Sequence, residues 1–356
     1  MGIKTLDESA LQGWVESLIA HNRVIGIQAK EDRFAFDELS DPARLRLDYD
    51  VALVSPKQYF LPPRDDLLRF DEDGYESVFC DEPFVLFGVH PYDLVAINQM
   101  DRLFSQDNCD NHYMARREAA TIIACDVQSP SENCFAGCMG TAVVKDGFDV
   151  LLTHIGEHYV AEARTEKGEE ALALAGELPD AERLHLLARV QAWQTNRNRL
   201  RAHELKMDPE DLPELLAHSR DHEVWEEKAE RCFSCGSCNL VCPTCYCFDV
   251  QDDANWDLSS GTRTRIWDGC MLEHFAEVAG GHNFRSERTQ RYRHRYYRKG
   301  AYVPEMIGEI ACVGCGRCIT ACVANIANPV EVFNRLWEEV ECAVPAQIAQ
   351  TSTSRS

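Results

Sequence analysis

The sequence has few positive charges and no long apolar run. Its 36 lysines and arginines are outnumbered by 59 aspartates and glutamates, which gives a formal net charge of −23. This deficit of positive charge argues against nucleic acid or an anionic membrane as the main partner. No stretch approaches the roughly 20 apolar residues of a membrane-spanning helix, and residues 1–20 lack the basic start and apolar run of a secretion signal. We therefore expect a cytoplasmic protein without a membrane span.

Common catalytic motifs are also missing. The sequence contains no glycine-rich dinucleotide fingerprint, P-loop, His-Glu-x-x-His motif or nucleophile elbow. We therefore predict no catalytic residue, and the sequence leaves open whether the chain is an enzyme. Its 356 residues are enough for about two domains.

The first half of the chain predicts a mixed α/β domain. Four short apolar runs rich in β-branched residues predict buried strands. These runs are residues 51–54, 84–89, 121–124 and 150–153. A turn near Gly156 makes the last of them the start of a predicted hairpin that ends at Ala163.

The second half predicts helices. Apolar residues recur at helical spacing over 181–205, and a helical pattern continues over 211–230. We therefore predict an α+β fold with a mixed α/β domain over 1–165, a mainly α-helical domain over 166–348, and a disordered tail over 349–356.

Cysteine is abundant, with seventeen residues. In a reducing cytoplasm thiols stay reduced unless a metal binds them, so this number indicates metal or cluster ligation rather than disulfides. Eight of the cysteines form two runs with the spacing Cys-x2-Cys-x2-Cys-x3-Cys. The first run is Cys232, Cys235, Cys238 and Cys242, and the second is Cys312, Cys315, Cys318 and Cys322.

Each run suits three corners of a 4Fe-4S cube. Small residues between the cysteines allow a tight loop in which three thiolates converge, and the fourth corner needs a ligand from elsewhere. A pair of zinc sites is the alternative, because Cys-x2-Cys pairs also bind zinc. Three cysteines at successive two-residue gaps, followed by a fourth, favour the clusters.

Both runs match those of two-cluster ferredoxins, in which the last cysteine of a run ligates the other cluster. This resemblance implies a ferredoxin-like domain with crossed ligands. One cluster is then held by Cys232, Cys235, Cys238 and Cys322. The second is held by Cys312, Cys315, Cys318 and Cys242.

The other nine cysteines allow several interpretations. Cys125, Cys134 and Cys138 follow a predicted strand and are candidates for a third cluster, against the alternative of loop cysteines packed beneath strand ends. The candidates for a fourth ligand there are Asp93, His90, Cys109 and Cys80. Three more could line a cluster without binding iron, namely Cys245, Cys247 and Cys270. We expect the remaining three to be small buried hydrophobic residues, namely Cys80, Cys109 and Cys342.

The segment 285–299 (RSERTQRYRHRYYRK) is strongly basic in an acidic chain. We expect it to be a solvated helix face, a partner for acidic helices, or a docking surface. Its mixture of arginine and tyrosine would suit nucleic acid, but the net charge of the chain opposes that function. Trp225, Trp256 and Trp267 are expected to pack in the core.

Six segments carry a resemblance to a known family. They are 55–70, 88–94 (GVHPYDL), 134–140 (CFAGCMG), 231–249 (RCFSCGSCNLVCPTCYCFD), 265–271 (RIWDGCM) and 278–285 (VAGGHNFR). In these segments the chain resembles the 4Fe-4S dicluster subunits of two related complexes. These are the beta subunit of sulfhydrogenase-type cytoplasmic NiFe hydrogenases and the A subunit of anaerobic sulfite reductase.

The resemblance implies an electron relay inside a larger oxidoreductase. Electrons would pass between a diaphorase-type subunit, which binds flavin and NAD(P), and a catalytic subunit that holds NiFe or siroheme. A hydrogenase is the first expectation. The alternatives are the same iron-sulfur relay in an anaerobic sulfite reductase, or an enzyme whose N-terminal domain holds a cluster with an open corner.

Overall fold

The computed structural model describes residues 2–339, so Cys342 and the predicted tail lie outside the described residues. The strands are β1 (Ile3–Asp7), β2 (Arg23–Lys30), β3 (Arg33–Glu38), β4 (Arg64–Asp71), β5 (Gly74–Ser77), β6 (Phe84–Val89), β7 (Ala120–Cys125), β8 (Val150–His154), β9 (His158–Ala163), β10 (Phe248–Ala254), β11 (Ser260–Trp267), β12 (Glu277–Val278) and β13 (His282–Asn283).

The α-helices are α1 (Glu8–His21), α2 (Pro91–Ser105), α3 (Asn111–Ala119), α4 (Glu166–Ala173), α5 (Arg183–Arg199), α6 (Leu212–His218), α7 (Val224–Glu230), α8 (Ser237–Leu240), α9 (Arg288–Tyr297), α10 (Val303–Ile307) and α11 (Arg317–Thr320). A π-helical turn (Arg298–Tyr302) joins α9 to α10, and a last helix covers 329–339.

A seven-stranded sheet forms the core of the first half, in the order β1-β9-β8-β7-β6-β2-β3. Its central strands β8, β7, β6 and β2 are parallel, and the outer pairs are antiparallel. Every residue of β6 is buried, as expected for a parallel strand covered on both faces. The predicted strands at 84–89, 121–124 and 150–153 and the predicted hairpin are confirmed.

The strand predicted at 51–54 is wrong. Ala52 makes one isolated bridge with Phe34, and Leu53 is exposed. Ala52 is nevertheless buried in the apolar core of the first half, and the Leu53 N–H donates to the Phe34 carbonyl at 2.8 Å, but the segment does not continue as a strand. An apolar run of four residues does not distinguish these two structures.

The second sheet is shared between the two halves of the chain. Its order is β10-β11-β4-β5, with every pair antiparallel. Arg265 on β11 is buried and pairs with Asp65 on β4 and with Asp110 before α3. Arg116 on α3 pairs with Asp65 as well. The hairpin of β10 and β11 therefore belongs to the otherwise helical second half of the chain but packs on the first half.

The observed fold is α+β, with a sheet-rich first half and a mainly helical second half, as predicted. The helical part has its own apolar core, which includes Trp225 and Leu336. The domain boundary near residue 165 stays a prediction. Within residues 2–339, no helix has both the length and the apolar character needed to cross a membrane.

Candidate iron-sulfur site

The two cysteine runs fold into two loops with the same backbone path. Ser234 and Gly236 have left-handed φ values in the first loop, and Gly314 and Gly316 have them at the matching positions of the second. Each loop leads into a one-turn helix, α8 or α11, and each helix is preceded by its glycine. The left-handed residues let the chain turn tightly enough for the cysteines to point to one side.

Each loop lines one cavity, and each cavity receives one cysteine from the other loop. The cysteines of the first cavity are Cys232, Cys235, Cys238 and Cys322. Those of the second cavity are Cys242, Cys312, Cys315 and Cys318. The crossing implied by the two-cluster ferredoxins is thus present in the geometry. Among the described residues, no three His, Cys, Asp or Glu side chains approach closely enough to hold a single metal ion.

The two cavities differ in their access to solvent. Cys235 in the first cavity is exposed, and its neighbours Phe233 and Val323 are 72% and 80% exposed. Cys315 and Cys318 in the second cavity are buried. The first cavity therefore has one exposed cysteine at its edge and is called the surface cavity, whereas the second has none and is called the inner cavity.

A loop of the first half covers the second cavity. The Phe135 backbone N–H donates to the Gly314 carbonyl at 2.7 Å, and the Thr141 hydroxyl donates to the Val313 carbonyl at 2.7 Å. A Cβ at Gly316 would lie 2.3 Å from the Asn133 carbonyl oxygen. The loop around Cys134, which contributes to the family resemblance, thus packs directly on the second cysteine loop.

Three cations of the basic segment are buried, namely Arg291, Arg295 and Lys299. Arg295 lines both cavities, and Lys299 lines the second. Within residues 2–339, neither of these two forms an ion pair with a carboxylate. The expectations of a solvated face, a partner for acidic helices or a docking surface are therefore wrong for Arg295 and Lys299, which face the cysteines instead.

The sulfur atoms that face Arg295 supply negative charge only as thiolates. Burial lowers the pKa of Arg295, but Cys238 and Cys318, once ionised, outweigh it and raise that pKa. The Arg295 Nε is buried without a hydrogen-bond partner among the described residues. A buried cation is stable only beside an anion, so this arrangement fits an anionic cluster between the cysteines.

Several of the cysteine thiols are buried and stay protonated unless a metal binds them. Burial raises the pKa of Cys238 and Cys312 to about 12, so neither thiol would ionise at neutral pH by itself. Metal binding replaces the proton and requires the thiolate. The donor set, the glycine loops and the buried cations together fit two iron-sulfur clusters.

Arg317 anchors the second loop to the first half. Its guanidinium forms a bidentate pair with Asp93 at 2.6 and 2.7 Å and donates from Nε to the Ala52 carbonyl at 2.7 Å. Arg317 and Asp93 are both buried. Sequence reasoning missed this pair, since a lone Asp and a lone Arg that are far apart in the chain give no local signal.

The structure places the candidate residues of the third cluster in two environments. Cys134 and Cys138 lie near each other. Cys134 also lies near Asp93, and Cys138 lies near Arg201. Cys125 sits at the end of β7, where Gln128 donates to its sulfur at 3.8 Å. That set stays a prediction.

The candidate fourth ligands of that set have other surroundings. Asp93 already forms an ion pair with Arg317. His90 stacks on Tyr49 at 3.8 Å. The remaining two, Cys80 and Cys109, are exposed, so the expectation that they are buried hydrophobic residues is wrong.

The three tryptophans expected in the core differ in their burial. Trp225 is buried in the second core, as expected, and Trp267 is partly buried against the first. Trp256 is fully exposed at the turn between β10 and β11, so its predicted core position is wrong.

The fold and the cavities fit an iron-sulfur protein of the ferredoxin type. Residues 231–326 match the model of the 4Fe-4S dicluster domain family. The chain is 33% identical over 317 residues to sulfhydrogenase 2 subunit beta from Pyrococcus furiosus, which covers 89% of this chain and 92% of the relative. The chain therefore belongs to the family of 4Fe-4S dicluster electron-transfer subunits that includes the sulfhydrogenase beta subunits.

Proposed function

We propose that this chain relays electrons between the catalytic subunit of a cytoplasmic NiFe hydrogenase and a second subunit that binds flavin and NAD(P). The observation that carries the proposal is the pair of crossed cysteine sets that share Arg295, one at the surface and one inside. The similarity to a sulfhydrogenase beta subunit supports the hydrogenase partner.

In this proposal the eight cysteines of the two cavities are the cluster ligands. When bound, each cluster accepts and returns one electron at a time. The chain holds the two sites next to each other and excludes water from the inner one. Arg295 compensates negative charge at both sites, and Lys299 at the inner one.

The surface position of the first cavity suits exchange with a partner. Phe233 and Val323 form an exposed apolar border beside Cys235, and such exposed apolar groups are typical of contact surfaces. The covered second cavity faces the first half of the chain through the loop around Phe135.

Anaerobic purification of the tagged full chain from its source cells tests the proposal. We expect nickel, flavin and hydrogen-dependent reduction of NAD(P) to co-purify with it. The Cys235→Ser variant should lose most hydrogen-dependent NAD(P) reduction, while hydrogen-dependent reduction of an artificial dye by the catalytic subunit persists. A co-purifying siroheme protein, or full NAD(P) reduction by the variant, would contradict the hydrogenase relay.

A further inference from the structure

A second group of cysteines lies beside the inner cavity, outside the eight cysteines of the two runs. Cys245 and Cys247 precede β10, and Cys270 follows β11. The start of β10 pairs with the end of β11, as Phe248 opposes Trp267. This antiparallel pairing brings the two ends of the hairpin together, and the Asp268 N–H donates to the Cys247 carbonyl at 3.1 Å.

A buried asparagine connects two of these thiols. The Asn239 side-chain nitrogen lies 3.5 Å from the sulfur of Cys245 and 3.5 Å from the sulfur of Cys270. Asn239 is buried at 2% exposure, and its oxygen accepts from the Met271 N–H. An amide that donates to two sulfurs orients both of them, as outer-shell groups do at metal-thiolate sites. Burial raises the pKa of Cys270, and the nearby third thiol, Cys247, raises it further.

Two lysines surround this group without a carboxylate partner among the described residues. Lys57 is 3% exposed, donates to the Cys245 carbonyl at 2.7 Å and lies 4.3 Å from the centre of the Trp267 ring. Lys299 is also buried and donates to the Thr244 hydroxyl. Lysine is rarely buried unless it is paired. Burial lowers the pKa of Lys57, and the sulfurs of Cys245 and Cys242, when ionised, oppose that effect.

We propose that Cys245, Cys247 and Cys270 bind a third iron-sulfur cluster beside the inner cavity. Three thiolates around two buried lysines resemble the donor and charge pattern of the two cavities, where Arg295 and Lys299 face the cysteines. The hairpin then has a function beyond docking, because its pairing assembles the site. The alternative is that the three thiols only donate hydrogen bonds toward the inner cluster.

Iron analysis of the anaerobically purified full chain separates these alternatives. We expect about twelve iron atoms per wild-type chain, and about eight in Cys247→Ser and in Cys270→Ser, with loss of one reducible signal in electron paramagnetic resonance. Cys109→Ser, which alters an exposed cysteine, is the matched control and should keep the wild-type iron.

Eight iron atoms in the wild type would overturn the proposal, even if a variant failed to fold. Eight iron atoms together with one zinc that is lost in Cys270→Ser would also overturn the proposal, since the site would then hold zinc. Twelve iron atoms that persist in both variants would place any additional cluster elsewhere, and would also overturn this assignment.

Discussion

Arg295 is the residue that the two cavities share, and its charge acts on both. A unit charge about 6 Å from a redox centre, at an effective dielectric constant of about 20, is worth roughly 3 kcal/mol. For one electron this corresponds to a change in reduction potential on the order of 100 mV. Because a cation favours the reduced, more negative form, removing it lowers the potential.

We therefore predict that Arg295→Met lowers the reduction potentials of both clusters by roughly 50–100 mV while the iron content is kept. A redox titration followed by electron paramagnetic resonance measures this. Arg293→Met on the same helix is the control, because Arg293 is only partly buried and donates to the Arg220 carbonyl. Equal shifts in the two variants would show that Arg295 has no special effect.

Gly316 combines a left-handed backbone with a close contact, since its φ is +79° and a Cβ would meet the Asn133 carbonyl at 2.3 Å. Gly308 has a similar φ of +76° with nothing within 4 Å of its Cβ position. The backbone strain of alanine at either site is about 1–2 kcal/mol, and only Gly316 adds the clash.

We expect Gly316→Ala to lower the midpoint of thermal unfolding more than Gly308→Ala does, and to reduce the iron content. Anaerobic unfolding followed by circular dichroism, together with iron analysis, provides the test. If the two variants behave alike, the packing of residue 133 on the second loop is not required for cluster binding.

At the level of elements, the sequence predicted what local spacing determines. The cysteine runs predict both loops and, through the ferredoxin resemblance, the crossed sets of cysteines. The apolar runs predict the buried strands β6, β7 and β8. In contrast, β10 and β11 were missed. The apolar alternation of β10 stops after Val250 and the strand is entirely exposed, whereas the buried residues of β11 are the polar Thr264 and Arg265.

The basic helix α9 shows a different limit. Its composition resembles a surface helix, since arginine and lysine are seldom buried. Arg295 and Lys299 are buried here beside cysteines of the two distant runs, which carry the opposing charge once they bind a cluster. That compensation depends on tertiary structure, and no local pattern in residues 285–299 reveals it.

The hairpin β10–β11 depends on one buried ion pair network. Arg265 and Asp65 each have side chains 2% exposed, whereas the neighbouring pair of Arg263 and Asp252 is about half exposed. Removing one partner of a buried pair leaves an uncompensated charge and costs about 3–5 kcal/mol. Exposed pairs contribute little.

Arg265→Met should therefore destabilise the protein by about 3 kcal/mol, and Arg263→Met should have little effect. Denaturant unfolding followed by circular dichroism compares them. If the hairpin assembles a cluster site as proposed above, Arg265→Met should also lower the iron content. A loss of stability equal to that of Arg263→Met would contradict the structural importance of the buried network.

At the scale of the whole molecule, the proposed relay requires a partner to bind beside the surface cavity. Transfer between clusters in different subunits requires close approach, and the exposed border of Phe233 and Val323 lies next to the only exposed cysteine of the eight, all of which are in the described chain. Two other exposed apolar residues, Leu187 and Val190 on α5, lie outside both cavities. They allow a matched comparison.

We predict that Phe233→Ser combined with Val323→Ser slows electron transfer to the partner roughly tenfold, as expected when a contact worth more than about 1 kcal/mol is lost. Iron content and reduction potentials should change little, because neither side chain ligates a cluster. Leu187→Ser combined with Val190→Ser should leave the rate unchanged. Stopped-flow reduction within the reconstituted complex measures both. If the control pair slows transfer as much as the first pair, the partner binds elsewhere, and electrons enter by a route other than the surface cavity.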